Sequence, residues 1–394
     1  MLDEYFQISS TIVNSVELEG GLSPGVWITS YSGIARATCI AKPKVKMLIM
    51  DEAHKLKDSK SKAYQFVGQF ESIAYKIMLS ATPDSGKNDL RILLAFLYGE
   101  TDEGKYRDKF ENESKYRTNT KKMYLRPAIK REIKLEKLDS SEHKDVYRKY
   151  VELFNKLPNR LFASIAYKVL SSSLSAAITF LENVIEKSGS SSQYIDNLFK
   201  SDGEMDLDDE WFQDEQYEDS DYDGEQSHDV DLLRNRFLEE IAGLSDKMKN
   251  LLNSRGEWKY PHVKDICHTA ANKKTVIFAT YKQSLYGLME ALQDEFDIRD
   301  LSGETDIHQR NNIVDWFKNN VTEQDKPKVI LLGNVGCEGL DFETSSTLIN
   351  FDMDYNPTVI EQRIGRVDRL KQERESITVH NFVDGISDVR IYEY

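Results

Sequence analysis

The stretch Lys46-Met47-Leu48-Ile49-Met50-Asp51-Glu52-Ala53-His54 decides how the chain is read. An apolar run that follows one lysine and ends in two carboxylates has the form of a buried parallel strand. Such a strand delivers Asp51 and Glu52 to a crevice at its C-terminal end, where doubly wound α/β sheets bind ligands. A paired Asp-Glu there suits a nucleotide site, because a hard Mg²⁺ takes oxygen ligands and a second carboxylate can orient and deprotonate an attacking water. The same letters also fit a helix N-terminus with acidic side chains facing its dipole. This stretch alone leaves both readings open.

The second half of the chain adds Gln362-Arg363-Ile364-Gly365-Arg366-Val367-Asp368-Arg369. Arginines at i, i+3 and i+6 form one cationic stripe if the segment is helical. Like charges so stacked repel unless an anion lies against them, and planar guanidinium is the usual donor to transferring phosphates. The alternative is a solvated face neutralised by Glu361 and Asp368.

Asp51-Glu52-Ala53-His54, Ser80-Ala81-Thr82-Pro83, Gly336-Cys337-Glu338-Gly339-Leu340-Asp341 and the run from Gln362 to Arg369 resemble motifs II (the DEAH box), III, V and VI of superfamily-two helicases, in that order. Asp51 to Lys57, Asp354-Tyr355-Asn356-Pro357 and Gln362 to Arg366 narrow the resemblance to Swi/Snf-type ATPases of a bacterial, RNA-polymerase-recycling branch. The likeness covers nearly the whole chain apart from an insertion near residues 190–235. It implies an α/β fold of two RecA-like parallel-sheet lobes with a helical insertion between them. The first lobe is expected over residues 1–138, the helical region over 139–265 and the second lobe over 266–394.

The same resemblance implies a function. ATP would be hydrolysed between the lobes, with Asp51 holding Mg²⁺, Glu52 activating water, and Arg366 and Arg369 acting as arginine fingers. Gly339 and Asp341 would lie near the ribose, Gln362 would brace that surface, and His54 and Arg363 complete the implied nucleotide contacts. The partner would be duplex DNA, along which the motor translocates.

One family part is missing. The family carries a P-loop, G-x-x-x-x-G-K-S/T, upstream of the acidic motif, and none occurs in these 394 residues. Gly20-Gly21 and Gly25 have no Lys-Ser or Lys-Thr after them. The expectation is a chain that begins after that motif, with an N-terminally incomplete first lobe. The alternative function is a non-hydrolysing DNA- or protein-binding remnant or subunit.

Hydrophobic content of 40% fits a folded chain large enough for two or three domains. No apolar run approaches the roughly 20 residues that span a bilayer, and the N-terminus lacks the features of a signal peptide. The expectation is a cytoplasmic protein without a membrane partner. Cys39, Cys267 and Cys337 are too scattered for a disulfide framework or a zinc cluster.

The net charge of −15 is local. Residues 201–231 hold 15 acids and no Lys or Arg, and removing them leaves 52 acids against 52 bases. That tract reads as a disordered insert, a candidate for binding a protein partner or gating a basic surface. Residues 105–134 carry 11 Lys and Arg against four acids, with tyrosines interleaved, which suits a phosphate backbone as well as a solvated surface. Residues 140–157, 160–187 and 231–252 have helical periodicity. Strands are expected over 275–281, 298–301, 328–333, 347–351 and 377–382, alternating with helices.

Overall fold

The computed structural model describes residues 7–20, 24–36, 45–56, 59–68, 73, 75–80, 89–98, 129–190, 194–195, 198–199, 228–301, 305, 307–333, 340–369 and 371–387. The chain divides into two compact units, Met1–Thr120 and Lys121–Tyr394.

In the first unit, β1 (Ser10–Ile12) is followed by α1 (Ser15–Gly20) and pairs in parallel with β2 (Val26–Ile28), after which comes α2 (Tyr31–Arg36). β3 (Met47–Met50) leads through α3 (Lys62–Gly68) to its parallel partner β4 (Tyr75–Met78), and α4 (Asp89–Tyr98) follows. Side chains alternate across a strand, so β3 has two unlike faces. Met50 is 3% exposed and shares a core with Phe66 and Val67 of α3 and Leu93 and Phe96 of α4. Met47 and Ile49 point the other way and are 49% and 58% exposed. The sequence reads β3 as buried, and among the described residues one face of it is covered, by apolar side chains from α3 and α4.

The second unit holds a six-stranded, all-parallel sheet in the order β5-β10-β9-β6-β8-β7. β5 (Lys130–Lys137) precedes five helices: α5 (Ser141–Asn155), α6 (Arg160–Ser172), α7 (Leu174–Ser190), α8 (His228–Arg255) and α9 (Lys259–Thr269). Then strands and helices alternate: β6 (Lys274–Phe278), α10 (Lys282–Leu292), β7 (Asp297–Leu301), α11 (Ile307–Lys318), β8 (Lys328–Leu332), β9 (Thr347–Asn350), α12 (Pro357–Val367) and β10 (Ser376–Val383). A parallel sheet covered on both sides favours successive apolar residues, as in Val276–Phe278, Val329–Leu332 and Leu348–Ile349 within the fully buried β6, β8 and β9. Ile277, Leu331 and Ile349 face a core shared with Phe154, Phe162, Leu181 and Met248 of the helices. Val276, Phe278 and Leu348 face the opposite core with Phe317 of α11 and Ile364 and Val367 of α12.

Two features differ from the sequence reading. β5, expected in the first lobe, pairs along its whole length with β10, from Ser376↔Lys130 to Val383↔Lys137. Its alternating Lys-Arg-Glu-Ile-Lys-Leu-Glu-Lys pattern suits an edge strand, which needs only one neighbour. The helices expected as a separate region share a continuous core with one face of this sheet, so residue 265 marks no break in packing.

The helical run read over 160–187 is cut in two. Ser173 is extended, with φ −163 and ψ 160, and separates α6 from α7. A helix break leaves carbonyls at one side and N–H groups at the other without intrahelical partners. The turn between α8 and α9 fills both: the Lys259 ammonium donates to Ser171 O at 2.5 Å and Ser172 O at 2.8 Å, and a Glu257 carboxylate oxygen accepts from Leu174 N at 2.7 Å. Lys259 gives its third proton to Phe351 O at 2.6 Å, just past the end of β9.

Candidate functional site

Asp51 and Glu52 follow directly on β3, at the C-terminal edge expected of a ligand-binding α/β strand. The β3–β4 register continues past the strands, with Leu79 N donating to Met50 O and Ala53 N to Leu79 O, both at 2.9 Å. Pairing thereby sets Ser80 beside the acidic pair. Asp51 is exposed and Glu52 half-buried. Glu52 takes a left-handed backbone at φ +50, and its N–H donates to Asp51 Oδ1 at 3.0 Å. Tyr31, at the start of α2, donates its hydroxyl to Asp51 O at 2.8 Å. Burial, with the charges of Asp51 and Glu52 adding, pushes the Tyr31 hydroxyl up to about 12, so it stays a donor across the neutral range. His54 lies in the short 3-10 turn Ala53–Leu56, and its side chain is outside the description.

At the C-terminal edge of the second sheet, α12 begins with Asn356, whose side chain accepts from Thr358 N at 3.0 Å, and Pro357 at its first position. Both are favoured helix-start residues. The helix ends at Val367, so Arg363, Arg366 and Arg369 do not form one stripe. Arg363 turns inward and is 3% exposed. It donates to Asp352 O at 2.8 Å, pairs with Asp352 Oδ1 at 3.4 Å, and lies over the Phe278 ring at 5.4 Å. A guanidinium so enclosed is matched from within the protein by Asp352. Arg369, beyond the helix, forms an ion pair with Asp341 at 2.7 Å. Phe342 N donates to Arg366 O at 2.9 Å. The fifth and sixth motifs are therefore joined through both side chain and backbone. Arg366 and Gln362 are half-buried, and among the described residues the Arg366 guanidinium has no hydrogen-bond or ion-pair partner. Gly339 lies outside the described residues.

Glu361 and Asp368, read as neutralising the arginine run, instead hold Arg131 of β5, at 2.9 Å and 2.6 Å. Lys130 pairs with Glu132 at 2.9 Å. Lys130 and Arg131 of the basic stretch are thus matched by acids; residues 105–128 lie outside the described residues. So do residues 201–227 of the acidic insert, whose last four residues form the first turn of α8.

Asp352 is the residue the sequence reading missed. It follows the buried strand segment Thr347 to Phe351 as Asp51 follows Met47 to Met50, and that repetition was its only signal. It is 1% exposed and accepts from Ser172 Oγ at 2.7 Å, Thr280 N at 2.8 Å and Thr280 Oγ1 at 2.7 Å. Burial alone would raise its carboxyl; the Arg363 charge and the Thr280 and Ser172 donors outweigh burial and hold it below the usual aspartate value.

No cluster of three or more His, Cys, Asp or Glu among the described residues is arranged to hold a metal. Mg²⁺ at a nucleotide needs none, since one or two carboxylates suffice when phosphate and water complete its shell, and the exposed Asp51 carboxylate fits that demand. No described helix is long and apolar enough to cross a membrane.

The family matches place this parallel α/β chain, with carboxylates ending one strand and arginines on the helix after another, among helicase-like ATPases of superfamily two. More narrowly, the chain belongs to the SNF2-type family: residues 20–173 match the SNF2-related domain and residues 258–371 the helicase conserved C-terminal domain. At family level this is a class of DNA-translocase-like motors using ATP and Mg²⁺. The chain is similar to RNA polymerase-associated protein RapA of Photobacterium profundum, with 35% identity over 112 residues, 28% of this chain and 11% of the relative. RapA of Vibrio parahaemolyticus is 28% identical over 163 residues, 40% of this chain and 16% of the relative. The matches thus span less than a fifth of these relatives' length. Among solved structures, the Hef helicase domain of Pyrococcus furiosus is similar at 15% identity and a TM-score of 0.47, covering 93% of this chain and 78% of that one.

Proposed function

We propose that the chain belongs to an ATP-dependent motor translocating on duplex DNA, in which Asp51, Glu52, Arg366 and Arg369 act on one nucleotide. The observation that carries this reading is Arg366: Arg363 and Arg369 are each matched by an aspartate, while Arg366 is half-exposed with its guanidinium unmatched among the described residues. Such a group is held ready for an anion, and charge neutralisation with positioning supplies most of the catalysis of phosphoryl transfer.

The roles then follow from each environment. Asp51 would hold Mg²⁺, which supplies charge neutralisation at the phosphates when bound. Glu52, half-buried beside it, would accept a proton from the attacking water. Tyr31 fixes the backbone that carries them. Arg366 would reach the transferring phosphoryl group, with Arg369 restrained by Asp341 until a phosphate competes for it. Gln362 lies one turn before Arg366 and, with Gly339 and His54, would contact the nucleotide. The acidic insert would bind a protein partner, and the protein would work in the cytoplasm.

A second reading is a chain that binds DNA or protein without turning over ATP. DNA-stimulated ATP hydrolysis by the chain separates the two. Activity lost in Glu52→Gln and in Arg366→Ala supports the motor; equal background release from all three proteins leaves the binding module.

A further inference from the structure

Behind α12 lies a buried chain of hydroxyls ending on Asp352. Ser172 Oγ stands 2.7 Å from Asp352 Oδ2 and 2.7 Å from Ser284 Oγ, and Ser173 Oγ is 2.7 Å from Ser284 Oγ. All three serines are fully buried or nearly so. Each hydroxyl has a single proton to give. The carboxylate can only accept, so Ser172 donates to Asp352; Ser284 must then donate to Ser172, and Ser173 to Ser284. Ser173 Oγ also accepts from Ala176 N at 3.1 Å, capping α7. The direction of every bond is fixed by the charge at one end.

From Asp352 the connection runs into the arginine helix. Thr280 Oγ1 donates to Asp352 Oδ1 at 2.7 Å and accepts from Arg363 at 3.3 Å, while Arg363 donates to Asp352 O at 2.8 Å. Asp352 therefore touches the α6–α7 break on one side and α12 on the other, with Lys259 gripping the carbonyl of the preceding residue, Phe351, at 2.6 Å.

We propose that Asp352 is a positioning residue: it fixes the seat of α12 through Arg363, and Ser172 makes the α6–α7 break part of that mounting. The orientation of Gln362 and Arg366 is the consequence. This rests on the motor reading only for its effect on turnover; the mounting itself stands on geometry.

Asp352→Asn keeps the shape but removes the charge that matches Arg363 and orders the hydroxyls. Ser172→Ala is the milder variant, taking away one donor. Backbone hydrogen exchange is followed in both, with DNA-stimulated ATP turnover measured alongside. In Asp352→Asn the amides of α12 and of the end of α6 should exchange faster by on the order of tenfold or more, with Ser172→Ala intermediate and β6 and β8 unchanged. Turnover should fall in kcat with KM for ATP nearly constant, and Asp352→Asn combined with Arg363→Met should recover part of the α12 protection. Unchanged exchange in α12, or equally faster exchange in every element, overturns the mounting. Loosened α12 with wild-type kcat overturns the positioning role. A wild-type chain without turnover counts against the motor reading, and the exchange pattern then decides the mounting by itself.

Discussion

Replacing Lys259 with methionine tests how the helices are joined to the sheet. The Lys259 side chain is 1% exposed, and its three protons meet three carbonyl oxygens, those of Ser171, Ser172 and Phe351. Its ammonium also lies 4.5 Å from the Phe351 ring centre and 5.6 Å from that of Trp258. Methionine fills similar volume and leaves three buried carbonyls without donors. Hydrogen bonds to a charged group are worth about 1.5–3 kcal/mol each, partly offset by the several kcal/mol that burying the ammonium costs. What tips the balance is Glu257, 2% exposed, which loses its nearby cation. Removing one partner of a buried charge pair costs about 3–5 kcal/mol, and that is the expected loss. The loss should depend on pH. Burial raises the Glu257 carboxyl and the Lys259 charge pulls it back, so Lys259→Met raises it further. A raised carboxyl holds its proton more tightly folded than unfolded, so stability drains away as pH climbs above the unfolded value near 4.5. Urea unfolding at about pH 5.5 and about pH 7.5 should show the larger deficit at the higher pH, and Glu257→Gln in the same chain should remove that difference. A loss under roughly 1 kcal/mol, or one indifferent both to pH and to Glu257→Gln, would refute the reasoning.

Two further outcomes follow from packing and titration. A methyl group at Gly287 would land on the Tyr260 hydroxyl, whose ring stacks on Phe351, so Gly287→Ala should cost about 1–3 kcal/mol and adding Tyr260→Phe should return part of it, as read by thermal unfolding. His143 is 3% exposed, bonded to Ser140 Oγ and Gly256 O, and burial lowers its pKa from 6.5. The unfolded chain then takes up the proton first, so stability should hold above pH 6.5 and fall below it, with a shallower fall in His143→Gln.

The fold was legible where both faces of a strand are buried. The strands read over 275–281, 328–333 and 347–351 overlap β6, β8 and β9, because two packed faces favour apolar residues in succession. β5 was not: its alternating charges say edge strand, and nothing local says which sheet's edge. The acidic pair was legible because Asp51 and Glu52 end an apolar run. The division of labour among three identical arginines was not, since which of them turns inward depends on Asp352, eleven residues before Arg363, and on where the helix ends. Nor could periodicity find the break at Ser173, whose freed backbone groups are met by Glu257 and Lys259, far along the chain.

Whether Glu52 and Arg366 serve one nucleotide is tested most directly by a cycle of Glu52→Gln, Arg366→Ala and the double variant, with kcat of DNA-stimulated ATP hydrolysis measured in each. Groups that act on one transition state fail together, so the double variant should be hardly slower than the worse single one. Losses that multiply, or a Glu52→Gln chain as fast as wild type, would contradict the account.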